Sequence, residues 1–285
     1  SMGFIRRREG KWAESLRHHE RALELDPRNI SVITGLIETY TRCRLWAKAA
    51  DLQQILVDRN PGNIDAEGQL ARYQAERDNS IQPIHDLIAR YPDFGESDHP
   101  FFYGFRMQEA VTNREWDHYI ELHKNAQGEI TAGDGFDFSL AMVLKIADRE
   151  SEAVEVLEKI RDEAKEALQQ SGNTTRFFPL AFSHALLGNK KESQRVADEY
   201  EDYLRAQNDA LDEAYGAATY AIISVWTDPP EVAIQAIRDY LKKPGPQVIS
   251  RFDLNSTLWN YPLWDTPELE ALFADDEAWA PLFAD

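Results

Sequence analysis

The chain has 285 residues, 43% hydrophobic and 28% charged, which is enough apolar material for a packed core and excludes a disordered polypeptide as the default. No run of about 18 apolar residues occurs, so a membrane-spanning helix is excluded by hydropathy, and the lone Cys43 excludes an internal disulfide framework or a multi-cysteine metal site. The net charge of −19 is uneven: residues 1–50 hold ten Lys/Arg against six Asp/Glu, the remainder 21 against 44, and no basic residue follows Arg251. Such a field repels phosphates, so neither nucleic acid nor direct membrane insertion is expected, whereas basic partners are attracted.

In chain order, the first strong pattern is a repeat. GKWAESLRHHERALELDPRN (10–29) aligns with RLWAKAADLQQILVDRNPGN (44–63), placing Trp12 on Trp46, Leu25 on Arg59, Pro27 on Pro61 and Asn29 on Asn63, each pair 34 apart. A period of this length predicts helical hairpins that must stack, because one hairpin cannot bury its apolar face alone. A small residue at the turn lets the chain reverse, and proline ends the second helix because it cannot donate to the helical ladder. Gly10, Trp12, Ala22, Leu23, Leu25, Asp26 and Pro27 in the first copy, with Leu36, Tyr40, Trp46, Ala49 and Pro61 in the second, make the chain resemble the tetratricopeptide repeat family; Arg44 stands where the turn glycine is usual. The resemblance implies an all-α, right-handed α-solenoid. In its register Met2 takes a leucine position and Gly3 the helix-crossing glycine, so the chain is expected to begin inside a first helix and to continue upstream.

The rhythm continues with less specific residues. Seven helix-turn-helix hairpins are expected at about 1–28, 30–61, 64–92, 100–127, 136–170, 175–207 and 211–243, with breaks at PDFGESDHP (92–100) and GEITAGDG (128–135). In the fifth, Ala153, Val156, Leu157, Ile160, Ala164 and Leu168 recur at helical spacing. Residues 244–285 are expected to form a C-terminal cap whose Phe252, Trp259, Trp264, Phe273, Trp279 and Phe283 cover the last hairpin. The run from Ala214 through Ala233, Tyr240 and Leu241 to YPLWDTPELEALF (261–273) is similar to the end of tetratricopeptide regions in bacterial multidomain signalling proteins, where the repeats follow a cyclase module, a winged-helix regulator or a kinase. That similarity implies a cytoplasmic regulatory or assembly segment.

Signatures of enzymes are lacking: there is no H-E-x-x-H, G-x-S-x-G, Walker-type or G-x-G-x-x-G motif. Glu115 and His118 form one E-x-x-H, but a di-iron bundle needs two such pairs plus two glutamates, and the other, Glu96 with His99, falls in an expected loop. His19, in the His18-His19-Glu20 cluster, is read as packing against the next hairpin, Gly133-Asp134-Gly135 as a turn, and Cys43 as a small core residue. No catalytic residue, metal or cofactor is expected.

The family resemblance also implies a groove lined by the first helix of each hairpin. Its register selects Phe4, Arg7 and Arg8, then Ser31, Thr34, Glu38, Thr41 and Arg42, then Phe138, Met142 and Lys145, then Phe178, Phe182 and Ala185. The groove would be basic at its mouth and apolar further along. Arg7, Arg8 and Arg42 could grip a carboxylate through paired hydrogen bonds, similar in sign to the carboxylate clamp of chaperone-binding repeat domains, although the clamp's asparagines are not matched. Against this, Arg7 and Arg8 could simply face water or upstream helices. The expected function is a non-enzymatic protein–protein interaction scaffold that binds a peptide or helix, from a partner or from an upstream module of the same chain. Two rivals are a small-molecule sensor built around Phe138, Met142, Phe178 and Phe182, and an enzyme hidden in the divergent hairpins.

Overall fold

The computed structural model describes residues 2–92, 100–126, 134–245 and 249–283. Their regular structure is all helical. The helices are α1 (Met2–Arg8), α2 (Trp12–Leu25), α3 (Ile30–Arg42), α4 (Trp46–Arg59), α5 (Ile64–Asp78), α6 (Gln82–Arg90), α7 (Pro100–Thr112), α8 (Trp116–Asn125), α9 (Asp134–Ile146), α10 (Glu150–Ser171), α11 (Phe177–Leu186), α12 (Lys190–Ala206), α13 (Ala210–Thr227) and α14 (Pro230–Leu241). Shorter pieces follow: α15 (Arg251–Ser256), a 3₁₀ turn (Leu258–Leu263), α16 (Pro267–Phe273) and α17 (Asp276–Trp279). No helix among the described residues is long and apolar enough to cross a membrane.

Local chemistry sets the helix ends. Asn29 and Asn63 are both N-caps, the first accepting from the Val32 amide at 3.3 Å and the second from the Ala66 amide at 2.9 Å, which satisfies donors that the first turn leaves open. In six hairpins the turn depends on one left-handed residue, whereas α13 and α14 are joined through Asp228 and Pro229 with φ of −117° and −59°. Gly10, Arg44, Asn79, Arg114, Asp148 and Gly188 have φ between 49° and 76°. What recurs is therefore a backbone conformation, and only two of the six residues are the glycine for which it costs nothing.

Consecutive helices pack against one another along the chain, and α5 meets α7, α9 meets α11 and α11 meets α13. Close crossings explain two helical glycines: a Cβ on Gly3 would lie 2.4 Å from the His19 ring, and one on Gly35 2.7 Å from the Phe4 ring. His19 is accordingly buried, edge-on to Phe4 at 4.8 Å. Cys43 is fully buried, and burial pushes its thiol up to about 12. The fourteen-helix run also closes on itself. The first helix touches α13, the Arg8 guanidinium pairs with Asp209, and Gly10 abuts the Ala210 Cβ.

The C-terminal stretch divides in two, which differs from the expected cap. Leu269, Leu272, Phe273 and Trp279 pack with Ala233, Ile234 and Ile237 of α14, so α16 and α17 do cover the last hairpin. Phe252 instead joins α5, α6 and α7, and Trp259 joins α9 and α11, while Phe283 is 45% exposed. An amphipathic pattern specifies that a residue is buried, and the partner is chosen by the closure of the array.

Candidate functional site

The face made by the first helices of the hairpins carries most of the expected site residues, and a single segment, residues 249–264, lies along it. Its short helix α15 rests on α5 and α7, and the following 3₁₀ turn rests on α9 and α13. Ser250 caps α15, accepting from the Asp253 amide at 2.9 Å, so the segment enters the face as a preformed turn of helix.

The aromatic middle is the best-packed part. The Trp259 indole lies with ring centroids 4.9 Å from Phe182, 6.0 Å from Phe178 and 6.3 Å from Phe138. The Trp226 indole N–H donates to the Trp259 carbonyl at 2.9 Å, and the Trp264 indole N–H to the Leu254 carbonyl at 2.7 Å. Gln108 Nε2 donates to Ser256 Oγ at 2.9 Å. Beside Trp259 a cavity of about 430 Å³ remains, walled by Phe105, Met107 and Leu258 and by the polar Arg72, Gln108 and Asp253.

The mouth is polar. Glu38 Oε1 accepts from Arg7 Nη2 at 3.0 Å and from Arg42 Nη2 at 2.8 Å. Burial alone would raise the Glu38 pKa, but the hydrogen bond and charge of Arg42 and the charge of Arg7 outweigh it and leave the carboxyl below its ordinary range. Arg7 is buried with Nε and Nη1 unpartnered, and it also stacks over Phe4 at 5.2 Å. Arg42 Nη1 reaches the Gly245 carbonyl at 3.4 Å. Arg44 stands at the turn position where the repeat pattern has glycine. Its buried guanidinium donates to the Leu241 carbonyl at 2.7 Å and the Ala280 carbonyl at 2.9 Å, and the Cys43 carbonyl accepts from the Leu282 amide at 2.9 Å.

The expected site residues thus part company. Arg7, Glu38 and Arg42 come together, but Arg8 pairs with Asp209 instead of joining them, so the three arginines do not converge. Thr34 and Ser31 are exposed, with the Thr34 hydroxyl turned back to the Ile30 carbonyl at 3.0 Å; Thr41 is buried and bonds the Glu38 carbonyl at 3.0 Å. Phe138, Met142, Phe182 and Ala185 are buried and Phe178 half-buried, so they do not line an open groove while residues 249–264 are in place. Lys145 is half-buried and pairs with Glu150 at 2.7 Å. Glu115 and His118 are both exposed. Glu96, His99 and Gly133 lie outside the described residues, and Asp134 and Gly135 begin α9 instead of a turn.

Sequence reasoning missed Glu76 and Asp253, buried where residues 249–264 meet α5, and Arg44, which ties the end of α14 to Ala280. The one available signal was Ser250-x-x-Asp253, a helix-start pattern ahead of an aromatic run. No family model matches this chain, and neither does any of the curated proteins.

Proposed function

We propose that the chain is a tetratricopeptide-like interaction module whose hairpins form a right-handed solenoid and whose inner face takes a short helical or extended segment of a protein partner, or of another module of the same polypeptide. The observation that carries this reading is the seating of residues 249–264. The face already holds a segment of that kind, gripped by one deep aromatic anchor, Trp259, and by donors aimed at its polar groups. Recognition by a few buried anchors set among weaker contacts is how such surfaces bind. The chain's own segment holds the site because tethering gives it a high effective concentration. No residue is assigned to catalysis. The cavity beside Trp259 supports a second reading, a small-molecule sensor, since its volume of about 430 Å³ suits a compact ligand.

The test uses a fluorescent synthetic peptide of residues 249–264 and the full chain. Trp259→Ala loosens the resident segment, so this variant is expected to bind the peptide in an anisotropy titration while the wild-type chain does not. If the variant keeps its helical circular dichroism and still binds nothing, the reading fails.

A further inference from the structure

The contact between α5 and α15 has a chemistry of its own. Glu76 of α5 and Asp253 of α15 are 6% and 9% exposed, and they meet where the terminal segment enters the inner face. Ser250 Oγ donates to Glu76 Oε2 across 174 positions of sequence and accepts from the Asp253 amide. Two carboxylates buried together cannot both keep their charge, because burial penalises each and each repels the other. Burial first, and then the charge of Asp253, hold Glu76 well above the ordinary carboxylate range, and burial also raises Asp253. Asp253 Oδ2 is buried with no hydrogen-bond donor of its own, and a proton held on the Glu76 carboxyl would let one proton serve both groups.

Little else there could neutralise a second charge. Arg72 acts on both carboxyls, but its Nε is 3.8 Å from Glu76 and its side chain is 55% exposed. The helices that meet here pack through an apolar cluster of Ala71 and Ala75 of α5, Ile84 and Leu87 of α6, Phe102 and Phe105 of α7, and Phe252 of α15, and the cavity beside Asp253 adds the neutral Gln108, Ser256 and Thr257. Other charged groups on these helices are engaged elsewhere. Glu67 pairs with Arg90, Arg77 with Asp78, His85 and Arg106 with Glu109, and Arg251 with Asp276. From α4, Gln53 bonds the Ala66 carbonyl. The cavity lined by Arg72 and Asp253 adjoins the pair.

We propose that Glu76 and Asp253 form a proton-operated latch: while they share one proton the terminal segment stays on the inner face, and when that proton leaves, the two carboxylates repel and the segment is released. The latch supplies the regulation of the binding face and rests on the reading that this face receives partner segments. The sign follows from the direction of the shift. Glu76 is raised in the closed state, so its contribution to closure is complete below the ordinary carboxylate pKa and is lost as pH rises through the raised value.

The experiment is amide hydrogen exchange of the full chain, read by mass spectrometry over residues 252–264 as protection factors, which remove the intrinsic pH dependence of exchange. From mildly acidic to mildly alkaline buffer, wild-type protection is expected to fall by up to about tenfold per pH unit within the titration window. Glu76→Gln cannot ionise, yet it still offers a donor to Asp253 and an acceptor to Ser250, so its protection should be high and flat. Arg72→Gln removes the cation that favours the ionised forms and should move the fall to higher pH. Flat wild-type protection, or a Glu76→Gln slope equal to wild type, overturns the latch. The peptide titration separates this from the functional reading: a wild-type slope abolished by Glu76→Gln, with no peptide bound by Trp259→Ala, keeps the latch and removes the partner.

Discussion

The mouth and the middle of this face hold different parts of the chain's C-terminal end by opposite means. At the mouth, Arg42 and Arg44 donate to main-chain carbonyls of Gly245, Leu241 and Ala280, and Glu38 neutralises part of an arginine excess. In the middle, Phe138, Phe178 and Phe182 enclose one indole. The two regions therefore contribute different things. An aromatic pocket supplies most of the free energy, since burial scales with apolar area. Guanidinium-to-carbonyl bonds set register, because a carbonyl is found on every residue but only certain ones fall within reach. The mouth should therefore accept varied sequences, and the middle should demand an aromatic anchor.

The largest expected effect lies in the middle. Trp259→Ala should lower the unfolding free energy by about 3 kcal/mol in a urea titration, the cost of emptying an aromatic site. A loss no greater than that of an exposed aromatic would mean that the middle is not held by its indole. The mouth is tested next by Arg44→Gly, which matches the repeat pattern and relieves a left-handed backbone at φ 57°. Even so, it should destabilise by about 2 kcal/mol in net, because the buried Leu241 carbonyl and the part-buried Ala280 carbonyl lose a charged donor. A stabilised variant would mean that the turn alone matters. The smallest effect concerns Glu38, whose pKa is depressed. Its contribution is present above the ordinary carboxylate pKa and is lost as pH falls through the lowered value. Thermal melts in acid buffer should show Glu38→Gln blunting that acid-side loss, by about 0.5 kcal/mol for a pair this exposed. The mouth thus weakens toward acid and the Glu76–Asp253 contact toward alkali, so hydrogen exchange resolved by segment should show α3 and α15 moving in opposite directions.

Several features could be read in advance because they are local. Asn29 and Asn63 start helices wherever the chain goes, Pro27 and Pro61 follow helix ends, and the spacing of Ala153, Leu157, Ile160 and Ala164 marks a buried stripe. The candidate site was only half legible. Arg7, Glu38 and Arg42 sit together because the 34-residue register fixes their faces, whereas nothing in that register tells Arg8 to leave for Asp209. Phe138 of α9 lies against Phe182 of α11, and the Trp259 indole they flank comes from far along the chain.

Helices, their ends and the residues each helix must hide are encoded locally, since capping, proline geometry and hydrophobic period act over a few residues. Contacts distant in the chain bring the first helix to α13, lay residues 249–264 against α5, α7, α9 and α13, and bury Glu76 beside Ser250 and Asp253. Those outcomes depend on contacts between residues roughly 200 positions apart in the longest cases, such as Arg8 with Asp209, and no local pattern encodes which distant surface arrives first or what charge it brings.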